Sequence, residues 1–252
     1  MPVTAQNAAM VLARLRKARP RIHCLTNQVA QEITANALLA LGAIPSMTSD
    51  PDEVGAFVAG AQGLLVNLGT MDQERRRAIS QALDVAGRAR LPWVLDPVLI
   101  ERSQVRAVLA GELMMRRPSA ARMNGVEFEI LSQSAVEPEA VRAYAHMSAS
   151  VIAVSGAQDI VSDGAQIACL ANGHEWMTRV TALGCAQSAL IAAACAVEDN
   201  AFVAAASAVV WIGVAGEIAA AHARGPGTFA GALLDALYHL DDVSLMKMAR
   251  IS

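Results

Sequence analysis

Short apolar segments alternate with longer amphipathic ones along the first two thirds of the chain. Ile22 to Leu25 reads as a short strand and Gln28 to Leu41 as the helix that follows it. Gly63 to Leu68 (GLLVNL) has the continuous apolar character of a strand covered on both faces. Asp72 to Arg88 is a charged helix with one apolar stripe. Pro92 to Val98 (PWVLDPV) predicts a strand, Ser103 to Arg116 a helix, and Val151 to Val154 another strand. Such strands, separated by helices, predict a parallel sheet with helices on both faces. Asp159 to Asp163 and Gln166 to Ala171 flank Gly164 and predict a β-hairpin. From Gly184 onward the pattern is nearly all helical. No linker, repeat or low-complexity tract breaks the pattern, so residues 1–252 read as one α/β domain.

Composition narrows the class. Hydrophobic residues make up 54% of the 252 positions and charged ones 17%, enough to bury a large core. Aromatics are only 4%, so Ala, Val, Leu and Ile fill that core. The net charge is −3 and no basic cluster occurs, which argues against a nucleic-acid partner. Met1 to Ala18 has its charges inside it and no continuous apolar stretch, and reads as an amphipathic helix, not a signal peptide. The Ala-rich segment from Ala186 to Val197 is too short to span a bilayer and ends in Glu198-Asp199, so no membrane is implied. Cys24, Cys169, Cys185 and Cys195 lack paired metal spacing and read as reduced thiols of a cytoplasmic protein.

Candidate chemistry gathers where ligands bind in open parallel sheets, just beyond the carboxyl ends of the strands. Thr26-Asn27, Asn67 and Gly69, Asp96, Asn124 and Glu127, and Ser155-Gly156 each follow a predicted apolar strand or short apolar segment. Taken singly, each is an ordinary cap or turn residue; their succession at one sheet edge points to a site. The turn Val180 to Cys185 then runs straight into a long apolar helix. Unpaired N–H groups and a positive dipole at that helix start would bind a phosphate. Cys185 in its first turn is either a buried core cysteine or one whose thiolate the same field favours.

The ordered segments HCLTNQVAQEITANALLALGAIPSMTSDPDEV, VNLGTMD, VLDPV, Asn124/Glu127, VSGAQDIVSDG, NGH and GPGTFAGALLDALY resemble the hydroxyethylthiazole kinase family. The likeness runs from about Ile22 to Leu240. It implies a ribokinase-like α/β fold with a mostly parallel sheet, helices on both faces and no separate lid domain. It also implies transfer of a phosphoryl group from ATP to the hydroxyethyl side chain of a thiazole, in thiamine salvage, by a homotrimer with sites near subunit boundaries. Carried over residue by residue, the substrate pocket is Asn27, Val29, Met47, Gly69 and Ala182. The ATP side is Arg122 and Ser155, and the magnesium positions are Asp96 and Glu127, the latter expected as a solvated carboxylate that contributes little to stability. Gly184 and Cys185 take the catalytic place, with Cys185 either a late proton acceptor or a spacer. The alanines Ala35, Ala37, Ala40 and Ala43 are candidates for packing against a neighbouring subunit.

Three segments depart from the family pattern, the smallest being the family's Arg-Gly-Asn, which reads Arg122-Met123-Asn124 here. The family turn Gly-Thr-Gly-Cys is Ala182-Leu183-Gly184-Cys185 here, replacing a residue suited to positive φ and removing a hydroxyl. After Asp96-Pro97-Val98, a glycine-bearing loop is replaced by Leu99-Ile100-Glu101-Arg102. The latter two changes are expected to slow the chemistry or alter substrate choice. They leave open a kinase for another small alcohol, or a homologue that binds thiazole or nucleotide without turnover.

Overall fold

Eight strands form one sheet in a computed structural model that describes residues 3–252. The chain begins with α1 (Ala5–Ala18), β1 (Arg21–Leu25), α2 (Gln31–Leu41), β2 (Ile44–Ser46) and α3 (Pro51–Ala59). It continues with β3 (Gly63–Asn67), α4 (Gln73–Ala89), β4 (Trp93–Asp96), α5 (Gln104–Met114), β5 (Ala120–Asn124), α6 (Gly125–Ser132) and α7 (Pro138–Ser148). Then come β6 (Val151–Ser155), β7 (Asp159–Ser162) and β8 (Ile167–Leu170), followed by α8 (Leu183–Cys195), α9 (Ala201–His222), α10 (Pro226–His239) and α11 (Asp242–Met248). The strand order is β2-β1-β3-β4-β5-β6-β7-β8. Pairing is parallel from β2 through β6, and the β7–β8 hairpin adds two antiparallel pairings at one edge.

The period of two along each strand divides the core. Ile22, Cys24, Leu65, Val94, Ala120 and Val151 face a layer built from α1, α2 and α8 to α11. Leu25, Leu64, Val66, Leu95, Ala121 and Ile152 face a layer built from α3 to α7. Because both faces are covered, β3 and β4 are buried along their whole length, and the only polar side chains on them are Asn67 and Asp96 where the strands end. Helix α9 is long and apolar enough to cross a membrane by length and composition, but 78% of that stretch is buried inside the fold, which accounts for its character.

Several sequence boundaries shift. The helix expected from Gln28 begins at Gln31, because Asn27 and the residues after it form a turn. The strand expected across Pro92 to Val98 stops at Asp96, where Val98 and Leu99 turn to positive φ. Ala37 and Ala43, expected at a subunit boundary, are 2% exposed and belong to the intrachain core.

Candidate active site

The same alternation that builds the core aims the site. Asn67, Asp96, Arg122 and Ser155 occupy the last positions of β3, β4, β5 and β6, or lie two before the end. Their parity matches that of Leu65, Val94, Ala120 and Ala153, so they turn toward α8. Helix α8 in turn begins at that edge. Its N-cap, Ala182, offers no side-chain cap, so the first-turn N–H groups face the site without a protein side chain on them. Seven other α-helices of the described chain are capped by a side chain: Thr4, Asp50, Asp72, Ser103, Asn124, Asn200 and Asp241.

On one side the site is amide-rich. Asn27 donates from Nδ2 to Asn67 Oδ1 at 3.1 Å and to Cys185 Sγ at 3.4 Å. Asn67 donates to Asp96 Oδ2 at 2.7 Å and accepts from the Gly69 N–H at 3.0 Å. A Cβ on Gly69 would lie 2.7 Å from that of Asn27, so this turn admits only glycine without movement. Arg75, 6% exposed, reaches in from α4 and donates to the carbonyls of Thr26 at 2.7 Å and Asn67 at 3.0 Å. It ties the carboxyl ends of β1 and β3 together beneath the site. Val29 is 66% exposed beside this group, and Met47 is half-buried on the loop after β2, against the core.

On the other side the site is charged. Arg122 donates from Nε to Gln187 Oε1 at 2.9 Å and from Nη2 to Ser155 Oγ at 2.6 Å. Its guanidinium lies over the start of α8, and a Cβ on Gly184 would be 2.5 Å from Arg122 Nη1. A side chain at position 184 would therefore displace the Arg122 guanidinium from this close approach. Asp159, whose carboxylate accepts the Gly156 N–H at 2.9 Å, interacts with Gln187 and completes the support of Arg122. Sequence reasoning assigned no role to Arg75, Gln187 or Asp159. A lone amide on the apolar helix α8 was the available signal for Gln187.

Two acids lie between these halves, and both are buried. Asp96 is 1% exposed and Glu127 is 3% exposed. Burial raises the pKa of each, and the Asp96 charge adds to the effect on Glu127. Arg122 pulls both in the opposite direction but does not outweigh burial. The expectation of a solvated Glu127 is thus wrong. Glu127 forms a capping box with Asn124, accepting its N–H at 2.9 Å, and also accepts the Leu99 N–H at 2.8 Å. That second bond holds the loop expected to be stiff and charged. Its φ values, 34° at Val98 and 55° at Leu99, are ones that side chains resist, and the Val98 carbonyl is further fixed by Arg106 at 2.7 Å.

The departures in the turn also resolve. Ala182 keeps the left-handed conformation, φ 63°, that the family glycine would adopt freely, at a cost of about 1 kcal/mol. Leu183 is 6% exposed and packs into the core, so its side chain is not a wall of the site. Cys185 is buried, and burial together with the Asp96 charge pushes its thiol up to about 12. The helix field does not produce a thiolate there.

The open, mostly parallel sheet covered by helices on both faces, with its polar residues gathered at the carboxyl edge, is the ribokinase-like fold. A ribokinase-like superfamily protein from Enterococcus faecalis superposes with a TM-score of 0.66 at 12% identity, covering 93% of this chain and 94% of that one, which speaks for the fold alone. The hydroxyethylthiazole kinase family model matches residues 12–242, and the chain belongs to that family. A probable hydroxyethylthiazole kinase from Agrobacterium fabrum is 41% identical over 248 residues, covering 98% of this chain and 96% of the relative. The hydroxyethylthiazole kinase of Granulibacter bethesdensis is 42% identical over 253 residues, covering 95% and 92%. The solved hydroxyethylthiazole kinase of Pyrococcus horikoshii has a TM-score of 0.94 at 33% identity, covering 98% of each chain.

Proposed function

We propose that this kinase, acting as one domain over residues 1–252, transfers the γ-phosphoryl group of ATP to the hydroxyl of hydroxyethylthiazole in thiamine salvage. The observation that carries the reading is Arg122 clamped over the uncapped start of α8, facing buried Asp96. Asn27, Val29, Met47, Gly69 and Ala182 line the thiazole side, and Arg122 and Ser155 bind the triphosphate. In the reaction, the bond between the alcohol oxygen and γ-phosphorus forms as the β–γ bridge breaks, ADP leaves, and the alcohol proton passes late to bulk water. Such transfers depend on positioning and charge neutralisation more than on a strong base. The N–H groups at the start of α8, with Gly184 among them, stabilise the phosphoryl oxygens. A coupled ADP-release assay tests the reading: hydroxyethylthiazole should support turnover where other small primary alcohols do not, and equal rates with all of them would refute it.

The acids suit Mg²⁺. Asp96 and Glu127 are hard oxygen donors whose charge, buried with only Arg122 near, is best balanced by a cation. Among the described residues no group of three or more His, Cys, Asp or Glu could hold a metal ion, so phosphate oxygens and water must complete the shell. When bound, Mg²⁺ would neutralise charge on the phosphates.

Cys185 is a neutral spacer in this reading. A general base contributes roughly 10²–10⁴-fold, so Cys185→Ala should stay within about tenfold of wild-type kcat. Its pH–rate profile should keep the same alkaline limb. A larger fall with loss of that limb would make the thiol a base.

The homotrimer is supported by exposed apolar side chains on β2 and on the segments that flank it in the chain. Val29, Leu39, Ile44 and Phe57 are 66%, 56%, 39% and 43% exposed, and an uncovered apolar sheet edge favours pairing. Met47 follows β2 directly, which agrees with a thiazole side near a neighbouring subunit. Light scattering should give three chains per particle at micromolar concentration; a monomer mass would contradict it. A cytoplasmic setting rests on the four free cysteines, three of them buried.

A further inference from the structure

Strand β1 is apolar at Ile22, Cys24 and Leu25, yet it carries an imidazole, His23, that is fully buried. Burying that ring is costly unless its nitrogens are hydrogen-bonded. Both are bonded, and to the two residues on either side of Met47. His23 Nε2 lies 3.0 Å from the Thr48 carbonyl, so it must carry the proton and donate. His23 Nδ1, 2.9 Å from Ser46 Oγ, then accepts the Ser46 hydroxyl. The tautomer is fixed by this pair of partners. Burial lowers the His23 pKa to about 4, so the ring is neutral at the pH of the cell. Phe57 of α3 closes the remaining face, its ring centroid 5.7 Å away.

The geometry reaches beyond β-sheet pairing. His23 and Ser46 are already partners in the parallel register of β1 and β2. The contact with Thr48 extends past the end of β2, across Met47, into a loop with no strand of its own. Downstream, Thr48 Oγ1 bonds Glu53, and Asp50 caps α3 by accepting the Asp52 N–H at 2.8 Å. The loop is thus fixed to α3 at its far end. The imidazole thus holds both neighbours of Met47, Ser46 through its hydroxyl and Thr48 through its carbonyl.

We propose that His23 is a positioning residue that sets thiazole affinity by clamping the Met47 loop from both sides. The proposal rests on the reading of Met47 as a wall of the thiazole pocket. A misplaced contact of this kind costs on the order of tenfold or more in binding or rate. His23→Phe keeps the ring and the burial but removes both hydrogen bonds. It should raise KM for hydroxyethylthiazole about tenfold, with kcat and KM for ATP moving less than about twofold. His23→Gln, which retains a donor and an acceptor, should recover part of the loss. Ser46→Ala removes only the Nδ1 partner at a half-buried position and should shift the same KM in the same direction by about threefold; it carries the test if His23→Phe does not fold. In a Met47→Ala background, His23→Phe should add little further.

An unchanged thiazole KM in the foldable variants overturns the clamp, as does an equal rise in KM for ATP. So does full additivity with Met47→Ala. If Met47→Ala alone leaves the thiazole KM unmoved, the reading of Met47 fails first, and the effect assigned to His23 fails with it.

Discussion

Asp96→Asn is expected to lower kcat on hydroxyethylthiazole by on the order of 10³-fold, while the folded state at pH 8 remains at least as stable as wild type. The two halves of this result have one cause. Asp96 is 1% exposed, and burial holds its folded pKa above the unfolded value. The stabilising contribution of such a group is complete below the unfolded carboxylate pKa and is lost as pH rises through the higher folded value. At pH 8, above the unfolded carboxylate pKa, burying Asp96 is therefore a net cost to folding in the absence of a bound cation. The amide removes that charge, and its oxygen can still accept the 2.7 Å bond from Asn67 Nδ2. The lost charge is the one that would balance a cation beside the transferring phosphoryl group. Thermal melting at pH 8 and the ADP-release assay measure both halves. A variant that melts lower yet keeps its turnover would show that Asp96 is structural.

Arg122→Ala is expected to raise KM for ATP on the order of 10²-fold, with KM for the thiazole little changed. Among the described residues the guanidinium has no acidic side chain as a direct partner; its bonds go to Gln187 and Ser155, both neutral. It lies over the start of α8, so its charge adds to the field of that helix where an anion would bind. Gly184→Ala offers a second route to the same effect. The new methyl would stand 2.5 Å from Nη1 and must push the guanidinium away. It should raise KM for ATP about tenfold without removing the arginine. Steady-state kinetics with each substrate varied separately decide the matter. An equal rise in both KM values would place Arg122 in general scaffolding.

The carboxyl edge was legible because strands buried on both faces admit few polar residues. Asn67, Asp96 and Ser155 each stand at the end of a strand. The hairpin around Gly164 was legible for a local reason, a glycine at φ 89° between two short runs. Strand β2 was not, because three residues including Pro45 have no period to read. The state of Glu127 was hidden for a different reason. Its burial depends on the Leu99 N–H, 28 positions away, and no local pattern records that pairing. Cys185 was misleading in the same way. Sequence displays the helix start, which favours a thiolate, but not the enclosure or the Asp96 charge, which oppose it and prevail. Ala182 shows a departure that the backbone absorbs: a left-handed alanine at the place of a glycine, with the turn preserved.

The most direct test of phosphoryl transfer at this edge is a single-turnover measurement with ATP labelled at the γ-phosphate. Wild-type protein, hydroxyethylthiazole and Mg²⁺ should move the label into the thiazole phosphate monoester, and Asp96→Asn should move almost none in the same time. Label released only as inorganic phosphate, or transferred equally well by Asp96→Asn, would contradict transfer to the thiazole at the Asp96–Arg122 site.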